Sequence, residues 1–401
     1  MKRWFLRCTV LALAAGILVV PAGRALAGPA PQTAVRTDAM TPSIARVQIA
    51  AGSFVSFSGY AIKLNGSLWS WGNNVFGQLG LGDTRHRRLP TRVGRSTGWA
   101  TIAAGEHCLA VKRDGTLWAW GSNDMGQLGL GSGNNGLRTR PRRVAGADWK
   151  AVDVGYEFSV ALKRNGSLWT WGNNNLGALG QGNSKEELRY WRPTRVGKSS
   201  DWKAIAVGYD WVLALKRDGS LWAWGGNDLG QLGLGTTDDL AHPTPTRVGS
   251  DLDWTAISAG EVPSFAIKRD GSLWAWGGNG EGQLGLGDTV DRSVPTRVGA
   301  GSSWKAVAAA QEGGLALKRD GSLWAWGEND SGQLGLGDKV TRKSPTRVRS
   351  SGWAKIAAGS DFSLALKANG SFWAWGSDRK DQLGLRVLRN RLVPTKIASL
   401  Q

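Results

Sequence analysis

A short pattern of alternating apolar residues recurs seven times along the chain. Each copy reads Leu or Phe, Trp, a small residue, Trp and Gly, and the first copy is Leu68-Trp69-Ser70-Trp71-Gly72. The two Trp are two residues apart, so on an extended strand both side chains project from one face. The first Trp of successive copies are separated by 49, 51, 53, 52, 50 and 49 residues, and a period of about fifty is typical of propellers and solenoids. A buried Trp covers roughly 150–250 Å² and needs a second apolar layer, so we predict sheets packed on neighbouring sheets.

The residue pattern of each unit predicts four strands. The first is short and rich in small residues, as in Ile102-Ala103-Ala104-Gly105, which suits a strand near a crowded central axis. The second ends at Asn-Gly or Asp-Gly in all seven units, such as Asp218-Gly219, and we expect two-residue type I′ hairpins there. The third is the Trp strand, and the fourth follows Pro, as in Pro295-Thr296-Arg297-Val298, which fits an outer edge. The Gly-rich run Gly126-Gln127-Leu128-Gly129-Leu130-Gly131 lacks a P-loop ending and is interpreted as a structural loop.

These units resemble the regulator of chromosome condensation repeat, with Trp-Gly-x-Asn-x-x-Gly-Gln-Leu-Gly followed by Pro-x-x-Val. The resemblance covers residues 46–397. It implies an all-β fold, a seven-bladed β-propeller of four-stranded antiparallel blades, with residues 398–401 as a tail. Val47-Gln48-Ile49-Ala50-Ala51-Gly52 predicts a first strand and Pro394-Thr395-Lys396-Ile397 a last one. We therefore expect the N- and C-terminal units to close the ring, and which strands share a blade stays open.

The N-terminal residues predict export. Residues 1–27 combine Lys2, Arg3 and Arg7 with an apolar run and an Ala-x-Ala end, the pattern of a signal peptide. The alternative is an uncleaved membrane anchor, but the run is about thirteen residues, short for a span of roughly twenty. Residues 28–45 predict a flexible leader. We expect a secreted, periplasmic or cell-envelope protein without a membrane span in its mature chain.

Removal of the signal changes the charge and the cysteine count. Its four basic residues lower the formal net charge from +19 to +15, and Cys8 leaves with them. Only Cys108 remains, so no disulfide forms within one mature chain, and this Cys is interpreted as a buried small hydrophobe. We expect the fold to depend on its apolar core, and the protein to be a monomer.

Little in the sequence suggests catalysis. The three His are His86, His107 and His242, in unrelated contexts, so neither a metal cluster nor a Ser/His/Asp arrangement can be argued. We expect no enzyme activity, no metal and no cofactor.

Three relatives suggest different functions. The namesake of the resembling family exchanges guanine nucleotide on a nuclear GTPase, and an exchange-factor-like regulator is kept as an alternative, although the units have no room for a wedge-like insertion. The plant ultraviolet-B photoreceptor carries Trp directly after the Gly that ends the first strand, and no unit does so here. The secreted bacterial β-lactamase inhibitory protein II is most similar in context, which implies protein binding through loops.

The basic residues offer two interpretations. Lys-Arg pairs precede the hairpin turn in five units, for example Lys216-Arg217. Such residues on exposed strands block edge pairing and favour solubility. Alternatively they form a basic face, opposite the first loops, that binds an anionic envelope polymer or nucleic acid by charge.

The loop between the first and second strands varies while its flanks stay regular. Six of the seven loops carry an acid, and Tyr beside carboxylates suits a basic protein or peptide partner. We predict a partner-binding surface here; the alternative is that the acids offset nearby Lys and Arg, and that Phe158, Trp211 and Phe362 point into the blades. The predicted binding residues are Glu106, His107, Tyr156, Glu157, Tyr209, Asp210, Trp211, Glu261, Glu312 and Asp361.

Overall fold

The computed structural model describes residues 42–52, 56–133, 135–184, 189–386 and 388–400. These residues form seven four-stranded antiparallel sheets, and each sheet takes its strands from four consecutive segments of the chain. The sheets are the blades of a propeller, numbered 1 to 7 from the N-terminus. The predicted all-β, seven-bladed fold is confirmed. The predicted signal peptide and residues 28–41 of the leader lie outside the described residues.

The strands occupy equivalent positions in every blade. The first strands are Gln48–Ala51, Trp99–Ala104, Trp149–Val154, Trp202–Val207, Trp254–Ala259, Trp304–Ala309 and Trp353–Ala358. The second strands are Ser58–Ile62, His107–Lys112, Phe158–Lys163, Trp211–Lys216, Pro263–Lys268, Gly313–Lys318 and Phe362–Lys367. The third strands are Leu68–Gly72, Leu117–Gly121, Leu168–Asn173, Leu221–Asn227, Leu273–Gly277, Leu323–Gly327 and Phe372–Gly376. The fourth strands are Arg87–Arg92, Arg138–Arg143, Arg189–Arg195, Asp238–Val248, Arg292–Arg297, Arg342–Arg347 and Arg391–Lys396.

Within a blade the strands lie side by side in chain order. Each first strand contacts the first strands of both neighbouring blades, so these strands surround the central axis. Their small residues permit this close approach, as the sequence predicts. The described helical segments are short: an α-helix, Pro42–Arg46, and two 3₁₀ turns, Asn175–Gly177 and Ala398–Leu400.

The second Trp of each pair joins neighbouring blades. All seven are fully buried, and each indole Nε1 donates to a backbone carbonyl of the preceding blade. The bonds are Trp120 to Gln78 (2.6 Å), Trp171 to Gln127 (2.8 Å), Trp224 to Ala178 (2.9 Å), Trp276 to Gln231 (2.9 Å), Trp326 to Gln283 (2.9 Å), Trp375 to Gln333 (2.8 Å) and Trp71 to Gln382 (2.9 Å). Because the acceptor is a main-chain oxygen, the bond persists in blade 3, where Ala178 replaces Gln.

The first Trp of each pair is only half-buried and contacts a lysine. In blades 2 to 7 the Lys that ends the second strand places Nζ 4.1–5.0 Å from the centres of two Trp rings, one from the pair and one from the start of the first strand. In blade 1 Arg46 replaces the Trp that begins the first strand elsewhere, and Lys63 Nζ lies 5.1 Å from the centre of the Trp69 ring. Such cation–π contacts are worth about 0.5–2 kcal/mol each. The lysines of the Lys-Arg pairs therefore pack against the blades.

The ring closes by packing between blades 1 and 7. The Trp71 indole reaches the Gln382 carbonyl, and Lys355 Nζ donates to the carbonyls of Val47 (2.5 Å) and Ala45 (3.0 Å). Ile44, in the helix at the end of the predicted leader, is buried in the apolar cluster at this seam. The N- and C-terminal units therefore close the ring as predicted, with a complete sheet on each side of the seam.

The hairpin turns differ from the predicted two-residue type I′ form. Gly66 has φ +78°, whereas Asn65 is not among the residues with positive φ. The Gly66 amide donates to the Lys63 carbonyl, and the Lys63 amide donates to Ser67. This pattern is a three-residue loop with Gly in the left-handed bulge position. Asn-Gly suits both turns, because the Asn65 side chain accepts from the Ser67 amide and hydroxyl.

Candidate functional site

Two sets of loops form one face of the propeller. The loops between first and second strands meet the Gly-rich loops that follow the third strands, since Asn173 Nδ2 donates to Glu157 Oε2 at 2.8 Å and Gln283 Nε2 donates to Glu312 Oε2 at 2.7 Å. We call this surface the acidic face. Its carboxylates are Glu106, Glu157, Asp210, Glu261, Glu312 and Asp361 from the first set, and Asp124, Asp228, Glu281, Glu328 and Asp330 from the second.

The second set of acids was missed in the sequence analysis. Four of them lie within two residues after the Asn of the repeated Trp-Gly-x-Asn segment, and Glu328 directly precedes that Asn. These acids could have been found from the sequence, because each lies within two residues of the Asn that recurs in the repeat. They were missed because the Gly-rich loop was interpreted as purely structural. The face is not uniformly acidic, because Arg379 of blade 7 lies near Asp361.

A pair of stacked tyrosines marks the boundary of blades 3 and 4. The rings of Tyr156 and Tyr209 have centroids 4.6 Å apart and planes 13° apart, and the Tyr156 amide donates to the Tyr209 carbonyl at 3.0 Å. Both side chains are half-buried and, with Glu157 and Asp210, border an open pocket. Burial and nearby negative groups raise the pKa of Tyr209, so its hydroxyl stays protonated. The structure thus brings four predicted residues together around one concavity.

The loop of blade 2 is one residue shorter than those of blades 3 to 7. The Ser122 amide donates to the Glu106 carbonyl, as the Asn173 amide donates to the Glu157 carbonyl in blade 3, so these two Glu are equivalent. His107 then pairs with Gly121 as Phe158 pairs with Gly172. His107 therefore occupies the buried position that the aromatic ring of Phe158 fills in blade 3. Grouping it with the loop acids was incorrect.

His107 and Trp211 lie inside the blades and cannot contact a partner at the surface. Both are fully buried. His107 Nε2 lies 2.8 Å from Ser159 Oγ, and that hydroxyl donates to the Gln127 carbonyl, so the imidazole is the donor. Burial lowers the pKa of His107 to about 3, which keeps it neutral. The Trp211 ring packs on Gly208, with no room for a Cβ between them.

Phe158 and Phe362 are buried in the same way as Trp211, against Gly155 and Gly359. Phe158, Trp211 and Phe362 therefore point into the blades, as the alternative interpretation of the sequence has it. The remaining predicted residues, Glu106, Tyr156, Glu157, Tyr209, Asp210, Glu261, Glu312 and Asp361, are partly exposed on the acidic face.

Carboxylates on this face repel one another. Burial, with Glu157 and Asp124 nearby, raises the pKa of Glu106 to about 7. Burial, with Glu261, Glu328 and Glu281 nearby, raises the pKa of Glu312 to about 7. Both groups are thus near half-ionised at neutral pH, and their ionised forms are unfavourable for folding. Residues that cost stability in this way are typical of functional surfaces.

Gly313 opens a second pocket between blades 6 and 7. It stands where other blades carry Phe158, Trp211 or Phe362, and the small gap beside it is bordered by Glu312 and Glu328. Both pockets therefore combine a gap between blades with two acidic side chains.

Three further observations concern metal ligands, His242 and membrane-spanning helices. In the described ranges no group of three His, Cys, Asp or Glu side chains is arranged to hold a metal ion. His242 Nε2 lies 2.9 Å from Asp238 Oδ1 on the outer strand of blade 4. No helix among these residues has the length and apolar character to cross a membrane.

Comparison with known proteins gives consistent matches. The RCC1-like domain matches residues 149–401, and the regulator of chromosome condensation (RCC1) repeat matches residues 65–111 and 114–162. The chain is 29% identical over 228 residues to the ultraviolet-B receptor UVR8 of Arabidopsis thaliana, covering 54% of this chain and 50% of the receptor. It is 29% identical over 221 residues to the human E3 ubiquitin-protein ligase HERC2, covering 54% of this chain and 4% of the ligase. The matched region thus spans half or less of these curated relatives.

Solved structures support the same relationship. Yeast RCC1 (Prp20) bound to Kap60 has a TM-score of 0.73 at 26% identity, covering 82% of this chain and 83% of that chain. A second structure of Prp20p from Saccharomyces cerevisiae, described with its binding properties to Gsp1p and histones, gives a TM-score of 0.73 at 26% identity, covering 82% and 85%.

Proposed function

The chain belongs to the RCC1-like domain family, and we propose that it is a non-catalytic protein-interaction propeller that binds a basic partner through its acidic face. The observation that carries this proposal is the stacked Tyr156 and Tyr209 pair beside Glu157 and Asp210 at one pocket. Aromatic side chains in a partly desolvated concavity are the usual anchors of protein interfaces. Carboxylates around them select positively charged partners and speed association.

The relatives support the interaction class. Yeast RCC1 is described in complex with Kap60 and as a binder of Gsp1p and histones. Histones are basic proteins, and this chain presents acids of at least five blades on one face. These relatives support the use of the propeller as a binding surface. The basic character of the proposed partner is inferred from the acidic residues of this chain.

Export is a second part of the proposal. The basic n-region, apolar run and Ala-x-Ala end of residues 1–27 support cleavage before Gly28, which would place the propeller in the cell envelope or outside the cell. N-terminal sequencing of the protein isolated from its own cells tests this step. A sequence that begins at Gly28 is expected, whereas retention of Met1 on the isolated protein would contradict export.

The binding test compares matched variants against immobilised core histones as a defined basic probe. In one variant Tyr156, Glu157, Tyr209 and Asp210 are replaced by Ala, and in a second E157Q and D210N remove charge while keeping shape. We expect the first to lose at least tenfold in affinity, about 1.4 kcal/mol, and the second to lose a smaller part. R269A/R319A, on exposed turns of the opposite face, is the control and should bind at least as well as the wild type.

Folding and catalysis are checked separately. The melting temperature of each variant should stay close to that of the wild type, which separates lost binding from lost structure. Undiminished binding by the folded four-residue variant would refute the proposed site. Acceleration of guanine nucleotide release from a nuclear GTPase would instead support the exchange-factor alternative and contradict a purely binding role.

A further inference from the structure

The fourth strand of blade 2 departs from the other six. In those blades a Thr after Pro donates its hydroxyl to the carbonyl two residues earlier, at 3.0–3.1 Å. These residues are Thr91, Thr194, Thr246, Thr296, Thr346 and Thr395. Blade 2 has Arg142 at this position. Compared with the other six blades, blade 2 therefore lacks this hydrogen bond and has an exposed guanidinium group in its place.

Two further differences in the same blade also raise its positive charge. Arg140 occupies the variable position before Pro, where blade 3 also has an arginine, Arg192, and the other five blades have an uncharged residue such as Val294 of blade 5. In blades 1, 5 and 6 an Asp forms an ion pair with the first Arg of the strand at 2.6–2.7 Å, whereas blade 2 has Ser132 in place of that Asp, and blades 3 and 4 have Asn183 and Thr236. The exchange of Thr for Arg142 is thus peculiar to blade 2, and it is there combined with Arg140 and with the loss of an acid.

The resulting basic side chains border one open groove. It is lined by Arg138, Arg140, Arg142 and Arg143 together with Leu130 and Leu137. Arg140, Arg142 and Arg143 are exposed, and within the described ranges neither Arg140 nor Arg142 forms an ion pair. Arg192 of blade 3 packs against Gly131 of the adjoining loop, which extends the positive surface across the blade boundary.

The chemistry of the groove favours a phosphate polymer. A guanidinium group binds phosphate through two parallel hydrogen bonds, and several in a row suit an extended polyanion. A peptide that added a strand here would meet Pro141, which lacks an N–H, at the middle of the edge. An open, positively charged groove of this kind can follow the phosphate backbone of a single strand.

We propose that this groove on the outer edge of blade 2 binds single-stranded nucleic acid through its backbone, without sequence preference. The site is distinct from the acidic face and from the hairpin turns, where the lysines pack against Trp rings. It therefore does not depend on the proposed protein partner.

The test uses fluorescence anisotropy of a labelled 20-nucleotide oligothymidylate at several salt concentrations. R140V/R142T gives blade 2 the residues that blade 5 has at the same positions, Val294 and Thr296, so it should fold normally. We expect it to lose at least tenfold in affinity at low salt and to reduce the slope of log K against log salt by about 1.4, from two lost phosphate contacts. K203T/K305T is the control, since it removes two exposed charges at a position where blade 5 has Thr255, and its affinity should change less than twofold.

Three outcomes would overturn the proposal. The R140V/R142T variant could bind the oligonucleotide as tightly as the wild type, or the control could lose as much affinity, which would mean that net charge alone attracts the polymer. In the third outcome the wild type binds heparin through these arginines but does not bind the oligonucleotide, which would assign the groove to a sulfated polysaccharide. Unchanged melting of the double variant, alongside selective loss of oligonucleotide binding, supports the site.

Discussion

The two Trp of each pair have different roles although they point from the same face of one strand. Trp224 is fully buried and bonded to the preceding blade, whereas Trp222 is partly exposed and lies 4.5 Å from Lys216 Nζ. The sequence predicts the shared face from the spacing alone. It does not distinguish the roles, because the difference arises from the position of the neighbouring blade.

We expect Trp224→Ala to lower the free energy of unfolding by about 3–5 kcal/mol, because it leaves a cavity and an unpaired carbonyl. Trp222→Ala should cost about 1–2 kcal/mol, since less apolar surface is lost along with a cation–π contact. Denaturant unfolding of both variants measures the difference. Equal losses would contradict the separate roles.

The raised pKa values of Glu106 and Glu312 predict a pH dependence of stability. A Glu of the unfolded chain has a pKa near 4.3, while both groups have pKa values of about 7 in the folded protein. Between roughly pH 4.3 and 7 the folded state therefore binds more protons, so the free energy of unfolding falls as pH rises through this window. Below it the contribution is fully present, and above it the contribution is lost.

E106Q/E312Q removes this titration. Because the side chains are partly exposed, we expect the variant to gain only on the order of 1 kcal/mol over the wild type at pH 8, and little at pH 4. Binding of a basic protein by the wild type should strengthen from pH 6 to pH 8 as these carboxyls ionise, and the variant should show less of this increase. A stability difference that is the same at both pH values would show that the two Glu do not titrate as described.

The strands could be predicted from the sequence more accurately than the turns and loops that connect them. Strand order and the acidic loop positions follow from the period and from residue types. The turn type at Asn65-Gly66 and the shorter loop at Glu106 were assigned incorrectly. In both cases the error concerns which residues are paired in the strands and which belong to the turn or loop. Cross-strand pairing determines this, and the local sequence is compatible with more than one pairing.

The Gly that ends a first strand makes room for the aromatic residue that begins the second. A Cβ on Gly208 would lie 2.2 Å from the Trp211 ring, so Gly208→Ala should destabilise the protein by about 1–3 kcal/mol through overpacking. Combining it with Trp211→Ala should give less than the sum of the two losses. Gly280→Ala, where no atom lies within 4 Å of the added carbon, is the control and should be nearly neutral. Additive losses at Gly208 and Trp211 would contradict the packing explanation.

At the scale of the whole molecule, seven similar blades present unlike surfaces. Hydrogen bonds from the second Trp of each pair continue around the ring, including the seam at Trp71 and Gln382. The frame is thus regular, and we propose that specificity lies where the repeat changes, at the stacked tyrosines and acids of one face and at the arginines of blade 2. The sequence predicts the acidic loops, but stacking of Tyr156 on Tyr209 requires the geometry of two blades.

The most direct test of the central claim is to map where a partner touches the propeller in its own cells. A photoreactive benzoylphenylalanine would replace Tyr156 on the acidic face or Arg319 on an exposed hairpin turn of the opposite face, each in the full chain. Irradiation followed by mass spectrometry identifies the cross-linked protein. We expect a cross-link to a basic protein from position 156 and none from position 319. Cross-links from position 319 alone, with both variants folded, would contradict the account.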